Sequence, residues 1–370
     1  MNFEPRNVFI TGGAGFIGAN FVRHWLASTR EARVVVFDAL TYAGNIDNLA
    51  GLDKDPRYVF VKGDICDEAM VRALLEQHQI DTVVHFAAES HVDRSILGPD
   101  DFIRTNIVGT HSLLKAAKTL WLDRKMVPDH RFHHVSTDEV YGSLEPDDEP
   151  FHEATPYRPN SPYSASKASS DHLVRAYYET FGLQSTITNC SNNYGPYQFP
   201  EKLIPLTIVN ILLGRPLPVY GDGLQVRDWL HVEDHCEAIS LALRRGRAGE
   251  VYNVGGNNQT TNMEIVRALC GLVDQSIAEG AELRASFPAS PAAGGKPSLD
   301  LIAHVRDRLG HDRRYAINYA KAERELGYAP ARDLAKGLRT TLDWYFSNTG
   351  WWQALLGRDF ASWVTKNYQR

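Results

Sequence analysis

The chain has 370 residues, 43% of them hydrophobic, 23% charged and 10% aromatic. That composition excludes a disulfide-stapled miniprotein and a disordered or repetitive chain, and the length suits about two domains of roughly 150 residues each. With 39 basic and 45 acidic residues the formal charge is −6, so no electrostatic bias toward nucleic acid or an anionic membrane exists and a small-molecule partner is expected. In chain order, residues 7–11, 33–38, 58–63, 82–86 and 131–136 read as short apolar strands. Helical periodicity fills the gaps, as with Val71, Leu74 and Leu75. The alternation predicts an α/β fold of Rossmann type, a doubly wound parallel sheet with helices on both faces. After Asn189 the pattern turns irregular, punctuated by Pro196, Pro200, Pro205, Pro216 and Pro218, and reads as a smaller mixed α/β lobe built on loops. Residues 239–245 and 250–254 again read as helix then strand, so the chain is expected to return to the first sheet.

These readings place a dinucleotide-binding domain at 1–190 with a return at about 234–256, and a substrate-binding lobe at 191–233 and 257–370. The stretch 278–299, rich in Ala, Gly, Pro and Ser, reads as a flexible insertion. The C-terminal piece, with Leu338, Leu342, Tyr345, Phe346, Trp351 and Trp352, reads as an amphipathic helix and an aromatic tail with a core or subunit-contact role. Cys66, Cys190, Cys236 and Cys270 are far apart, which suggests neither a disulfide framework nor a zinc site and fits a reducing cytoplasm. The N-terminus carries no basic flank and apolar signal segment. The apolar run 203–213 is too short for a bilayer. His133 and His134 share a strand and face opposite sides, so no metal is expected there.

Thr11-Gly12-Gly13-Ala14-Gly15-Phe16-Ile17-Gly18 follows the first strand and opens a helix. Glycines at these positions let a pyrophosphate approach backbone N–H groups at a helix N-terminus, where the dipole favours negative charge. Asp38, ending the second strand twenty residues past Gly18, suits a ribose diol and would repel a 2′-phosphate, so NAD is expected rather than NADP. Asp64 stands either near the adenine or as a turn aspartate. Tyr163 and Lys167 are four apart, hence on one helical face, where the lysine cation can stabilise a tyrosinate. An unperturbed tyrosine needs a downward shift of roughly three pKa units, about 4 kcal/mol, to act as a base near pH 7.

The glycine spacing and the Tyr-x-x-x-Lys together resemble the extended short-chain dehydrogenase/reductase family, whose members mostly act on nucleotide sugars. Ser136-Thr137-Asp138-Glu139 follows the strand at 131–136 and sets two adjacent carboxyl groups where a parallel sheet ends and ligands gather. Moving only a hydride and a hydroxyl proton needs no such pair. Eliminating water does: oxidation at C4 of a hexose acidifies the C5 proton, a base must remove it, and an acid must protonate the departing C6 hydroxyl.

With Thr137-Asp138-Glu139, the runs Asp38-Ala39-Leu40-Thr41-Tyr42-Ala43-Gly44-Asn45 and His85-Phe86-Ala87-Ala88-Glu89-Ser90-His91-Val92-Asp93-Arg94-Ser95 resemble the nucleotide-sugar 4,6-dehydratases within that family, as do Asn192-Asn193-Tyr194-Gly195-Pro196-Tyr197 and Gly310-His311-Asp312-Arg313-Arg314-Tyr315. The resemblance implies Tyr163 as acid/base with Lys167, Asp138 as the acid at O6, Glu139 as the base at C5 and Thr137 as a partner of O4. It implies NAD held by Gly12, Gly15, Phe16, Ile17, Gly18, Asp38, Leu40, Thr41, Asp64, Ile65, Phe86, Ala87, Ala88, Ser90, Thr105 and Asn193, beside Tyr163 and Lys167. For the substrate, expected to be dTDP-glucose, it implies Ser90, Asn192, Lys202, Leu203, Pro218, Tyr220, Arg227, Asn262, Arg308 and His311. A homodimer is implied as well. The family usually has proline where Leu309 stands, and the stretch before it is longer than usual. A 4-epimerase, a dehydratase for another nucleotide sugar, or a non-catalytic NAD-binding protein stay open as alternatives.

Overall fold

The computed structural model describes residues 3–357. Twelve strands occur among them: β1 (Asn7–Thr11), β2 (Arg33–Asp38), β3 (Tyr58–Lys62), β4 (Thr82–His85), β5 (Arg131–Thr137), β6 (Ser185–Cys190), β7 (Asn192–Tyr194), β8 (Leu217–Tyr220), β9 (Val226–His231), β10 (Val251–Val254), β11 (Gln259–Thr261) and β12 (Ile302–Val305). Seven form one sheet in the order β10-β6-β5-β4-β1-β2-β3, with every neighbouring pair parallel. The first strand lies inside the sheet, with β2 and β3 on one side of it and β4, β5, β6 and β10 on the other, so the winding reverses between β1 and β4. The crevice at that reversal, beyond the carboxyl ends of the strands, is where such sheets bind ligands.

The strands are apolar throughout because both faces are covered, and the period of two sorts their side chains. Val8, Ile10, Val34, Val36 and Val84 share one core with Phe21 and Trp25 of the Phe16–Ser28 helix and Ile239 of the Val232–Arg245 helix. Phe9, Val35, Phe37, Val83 and Phe132 point to the opposite core, closed by Leu113, Leu114 and Val174. The Pro162–Phe181 helix starts cleanly for local reasons. Ser161 and Ser164 form a reciprocal capping box, Pro162 sits in the first turn, and Gly182 ends the helix in the left-handed region at φ +76°.

The second lobe has its own core, in which Ile208, Leu217, Trp229, Leu269, Leu342, Tyr345 and Trp352 are buried. Around it lie the β11-β9-β7 and β12-β8 sheets. Two expectations need correcting. Pro205 lies inside a helix, Leu203–Leu212, because a third-position proline removes an N–H that has no intrahelical partner anyway. The stretch 278–299 is not a structureless insertion: it folds into a helix at Ala281–Ser286 and a turn at Pro291–Gly294. Phe287, Ser290 and Ala292 in it are buried, and Ser298, at the start of the next turn, donates through its backbone N–H and hydroxyl to Asp274. The tail beyond 357 lies outside the described residues. No helix among those described is long and apolar enough to cross a membrane.

Trp352 is fully buried and its indole N–H donates to the Tyr345 carbonyl. Trp352→Ala is expected to cost about 3–5 kcal/mol in urea unfolding; a loss under about 1 kcal/mol would show that the C-terminal helix does not belong to this core.

Candidate active site

The crevice opens as a cavity of about 450 Å³. At its floor Gly12 adopts φ +67°, and a Cβ there would stand 2.5 Å from the Ala87 amide nitrogen, so only glycine lets β1 and the segment after β4 meet this closely. Gly15 caps the Phe16–Ser28 helix without any side chain over its N-terminus, which leaves first-turn N–H groups for an anionic ligand. Asp38 is held at the end of β2 by accepting hydrogen bonds from the amides of Ala14 (2.9 Å) and Leu40 (2.8 Å). Burial pushes its pKa up, against those two bonds. Asp64 accepts from the Cys66 amide and from Arg104.

Every residue singled out from the sequence lines this one cavity except Leu40. Leu40 sits in the left-handed region at φ +55° and contributes through its backbone N–H to Asp38. The cavity wall also carries Glu89, His91, Asp93, Cys190, Gln198, Phe199, Glu201, Trp229 and Tyr315, which sequence reasoning did not assign. Glu89, His91, Asp93 and Tyr315 lie within runs whose likeness was noted, and Glu201 directly precedes Lys202 in a further run of that likeness, Pro200-Glu201-Lys202-Leu203-Ile204-Pro205. Nothing in the local sequence signals Cys190, Gln198, Phe199 or Trp229, because their place in the site depends on how the chain folds around it.

At the head of the cavity β5 ends in Thr137, and the turn Asp138–Tyr141 follows. Asp138 is 1% exposed. One of its carboxyl oxygens has only a long contact to the Thr137 hydroxyl (3.4 Å) and the other has no hydrogen-bond partner in the structure. Burial, with the adjacent Glu139 and with Asp228, pushes its pKa well above the usual carboxylate range. Glu139 is also raised by burial, but Arg308, Lys202 and Arg227 oppose that rise. Two neighbouring carboxyls thus have different environments, the first favouring the acid and the second closer to the carboxylate.

Tyr163 and Lys167 enter from the Pro162–Phe181 helix. Their arrangement corrects one expectation. The Lys167 ammonium donates to the Val135 carbonyl (2.9 Å) and lies 3.3 Å from His134 Nε2, and it does not hydrogen-bond the phenol. Burial and the Glu139 charge push the Tyr163 pKa up rather than down, partly offset by a hydrogen bond with Thr137. The protein's own side chains therefore keep Tyr163 a phenol.

The second lobe supplies cations. Arg227 is 4% exposed, lies over the Tyr315 ring at 4.3 Å, and donates to the carbonyls of Val226 and Asp312. Lys202 donates to the Ser90 carbonyl (3.1 Å), and the buried Nε of Arg308 has no hydrogen-bond acceptor. Tyr220 donates to Asp93 and stands edge-on to His311. Asn192 Oδ1 is buried without a donor, whereas the Asn193 amide is engaged with Ser191 and His235. A cation-rich wall thus faces a carboxyl pair across one cavity, suited to an anionic sugar derivative.

Fold and site together define an extended short-chain dehydrogenase/reductase. The family model described as GDP-mannose 4,6 dehydratase matches residues 9–341. A dTDP-glucose 4,6-dehydratase from Xanthomonas campestris pv. campestris is 56% identical over 352 residues, covering 94% of this chain and 95% of its own. Among solved structures, the dTDP-glucose 4,6-dehydratase DesIV of Streptomyces venezuelae, crystallised with NAD, is 47% identical with a TM-score of 0.84, over 94% of this chain and 99% of its own. The enzyme of the same name from Bacillus anthracis, in complex with NAD, is 44% identical with a TM-score of 0.81, over 95% and 99%. The chain belongs to the dTDP-glucose 4,6-dehydratase family.

Because the folded pKa of Asp138 lies above its unfolded value, the native state binds a proton that the unfolded chain releases once pH exceeds about 4. Its contribution to stability is therefore greatest in acid and falls as pH rises. Asp138→Asn should gain on the wild type by up to about 1.4 kcal/mol per pH unit while the carboxyl stays protonated. Urea unfolding at pH 5 and 7 checks this; a constant difference would show an ordinary, ionised Asp138.

Proposed function

We propose that Asp138, Glu139, Tyr163 and Thr137 carry out the reaction of this enzyme, the conversion of dTDP-D-glucose to dTDP-4-keto-6-deoxy-D-glucose with loss of water and no net redox change. The observation that carries the reading is the carboxyl pair, Asp138 buried and Glu139 half-buried, beside Tyr163 in the cavity that opens on the glycine turn. The cradle fits NAD: an uncapped helix N-terminus for the pyrophosphate, and Asp38 at the end of β2 for the ribose diol. When bound, NAD supplies the acceptor that oxidises C4 and later reduces C6, and its positive ring adds the charge that lowers the phenol's pKa.

The side chains then divide the proton traffic. Tyr163, beside Thr137 in the cavity, removes the O4 proton during oxidation at C4. The new carbonyl acidifies C5–H, and Glu139, the carboxyl nearer to three cations, takes that proton. Asp138, favoured in its acid form by burial, delivers its proton to the C6 oxygen, which leaves as water; Glu139 returns its proton to C5 as C6 is reduced, and the O4 proton taken up by Tyr163 balances the one Asp138 gave up, which is restored through solvent. Lys202, Arg227 and Arg308 hold the diphosphate end, and Tyr220 packs against the base. These cations also draw Glu139 toward its ionised form, so binding groups serve the chemistry.

Incubation with dTDP-glucose should yield the 4-keto product, seen by its alkaline absorbance, in preference to UDP-, CDP- or GDP-hexoses. Asp138→Asn and Glu139→Gln should each lower turnover by about 10²–10⁴-fold while slowing elimination more than initial oxidation. In a single turnover, reduced cofactor should therefore still form. Equal loss of both phases in both variants would contradict the division of roles.

The protein is further proposed to be a cytoplasmic homodimer. Ile103 and Val108 are 47% and 51% exposed on the helical run that packs beside the Pro162–Phe181 helix, which itself exposes Phe181. Exposed apolar positions on adjoining helices suit a second copy of the chain. Sedimentation should give twice the 41.5 kDa chain mass; a monomer at micromolar concentration would refute the dimer.

A further inference from the structure

Beneath the site lies a buried acid that the reaction scheme above does not use. Tyr163, Lys167 and Asp171 follow one another at intervals of four on the Pro162–Phe181 helix and so share a face. Lys167 and Asp171 are 4% and 2% exposed, and His134 on β5 is fully buried between them. His134 Nε2 stands 3.3 Å from Lys167 Nζ and 3.2 Å from Asp171 Oδ1. The other oxygen of Asp171 accepts from the hydroxyls of Ser136 (2.8 Å) and Tyr157 (3.1 Å), donors that favour a carboxylate over an acid.

We propose that Asp171 is a positioning residue that keeps Lys167 charged, so that the ammonium retains a hydrogen to direct into the cavity beside Tyr163. The count of hydrogens makes the point. A neutral amine has two, and with the His134 proton on Nδ1 the Val135 carbonyl and the His134 Nε2 lone pair, which also lies 3.2 Å from Ser170 Oγ, stand within reach of both. Only the ammonium has a third to offer. A buried lysine without a counter-charge gives up its proton, and here burial already lowers the Lys167 pKa to about 8, with Asp171 the first influence opposing it.

The surrounding groups do not substitute for that anion. His85 on β4 and His134 on β5 are held neutral by burial, as is the Cys190 thiol on β6. Tyr157 and Tyr163 are pushed up and remain phenols, and Asp138 is pushed toward its acid form. His172 on the same helix adds only a weak influence on Asp171 itself, whose pKa of about 6 leaves it ionised at neutral pH.

The inference rests on the dehydratase reading for its kinetic test but has a second readout that does not. In Asp171→Asn the alkaline limb of the turnover profile should move acidward by at least about one pH unit, giving roughly fivefold or greater loss at pH 8 and much less at pH 6. Asp171→Glu, which restores the charge, should return the limb toward its wild-type place. Independently of activity, urea unfolding should show the Asn variant gaining stability with pH from a lower pH than the wild type, because its folded lysine deprotonates earlier while the unfolded one stays charged to about 10.4. Should Asp171→Asn fail to fold, Tyr157→Phe removes one donor to the carboxylate and should shift the limb the same way by less. An unmoved limb with equal loss at every pH, or an unchanged stability profile, would overturn the proposal.

Discussion

Two carboxyl groups next to each other in the chain, Asp138 buried and Glu139 half-buried in the cavity wall, are the constraint around which this molecule is arranged. An unpaired carboxylate in such a place costs several kcal/mol, so the pair persists only if its two members resolve the conflict differently. Asp138 does so by holding its proton. Glu139 does so by facing Lys202, Arg227 and Arg308, contributed by the second lobe. Neither environment exists until the two lobes meet, so the chemistry is a property of the closed fold rather than of either part.

The parallel sheet makes that meeting possible. β1, β4 and β5 deliver the glycine turn, the Phe86–Ser90 run and the Thr137–Glu139 triplet to one end of the sheet. The capped Pro162–Phe181 helix lays Tyr163 and Lys167 across it. A scaffold of this kind built for epimerisation would need only the hydroxyl and phenol donors. In the proposed reaction the carboxyl pair turns oxidation at C4 into a route to water loss, since the acidified C5 proton and the C6 hydroxyl would each find a partner of matching protonation.

Much of the sheet was legible in the sequence because strands covered on both faces read as unbroken apolar runs with sharp ends; 7–11 and 33–38 coincide with β1 and β2. The glycine turn, Asp38 and the Thr137–Glu139 segment were legible because strand ends and helix starts place side chains without reference to the rest of the fold, whereas Lys202, Arg227, Asn262 and Arg308 were reached only through the family resemblance. What escaped has identifiable causes. Pro205 reads as a breaker although its place in a first turn makes it harmless. The composition of 278–299 reads as loose although Phe287 and Ser298 anchor it to a neighbouring helix. Spacing puts Lys167 on the face of Tyr163, yet it cannot reveal that Val135 and His134, reached across the sheet, claim its hydrogens, nor that burial raises the phenol's pKa.

The central claim is that Asp138 is an acid and Glu139 a carboxylate in the same folded site at neutral pH. Infrared difference spectroscopy between the wild type and Asp138→Asn at pH 7 reads this directly. The account predicts that the wild type carries a protonated-carboxyl C=O band which the variant lacks. A difference spectrum containing only carboxylate bands would contradict it.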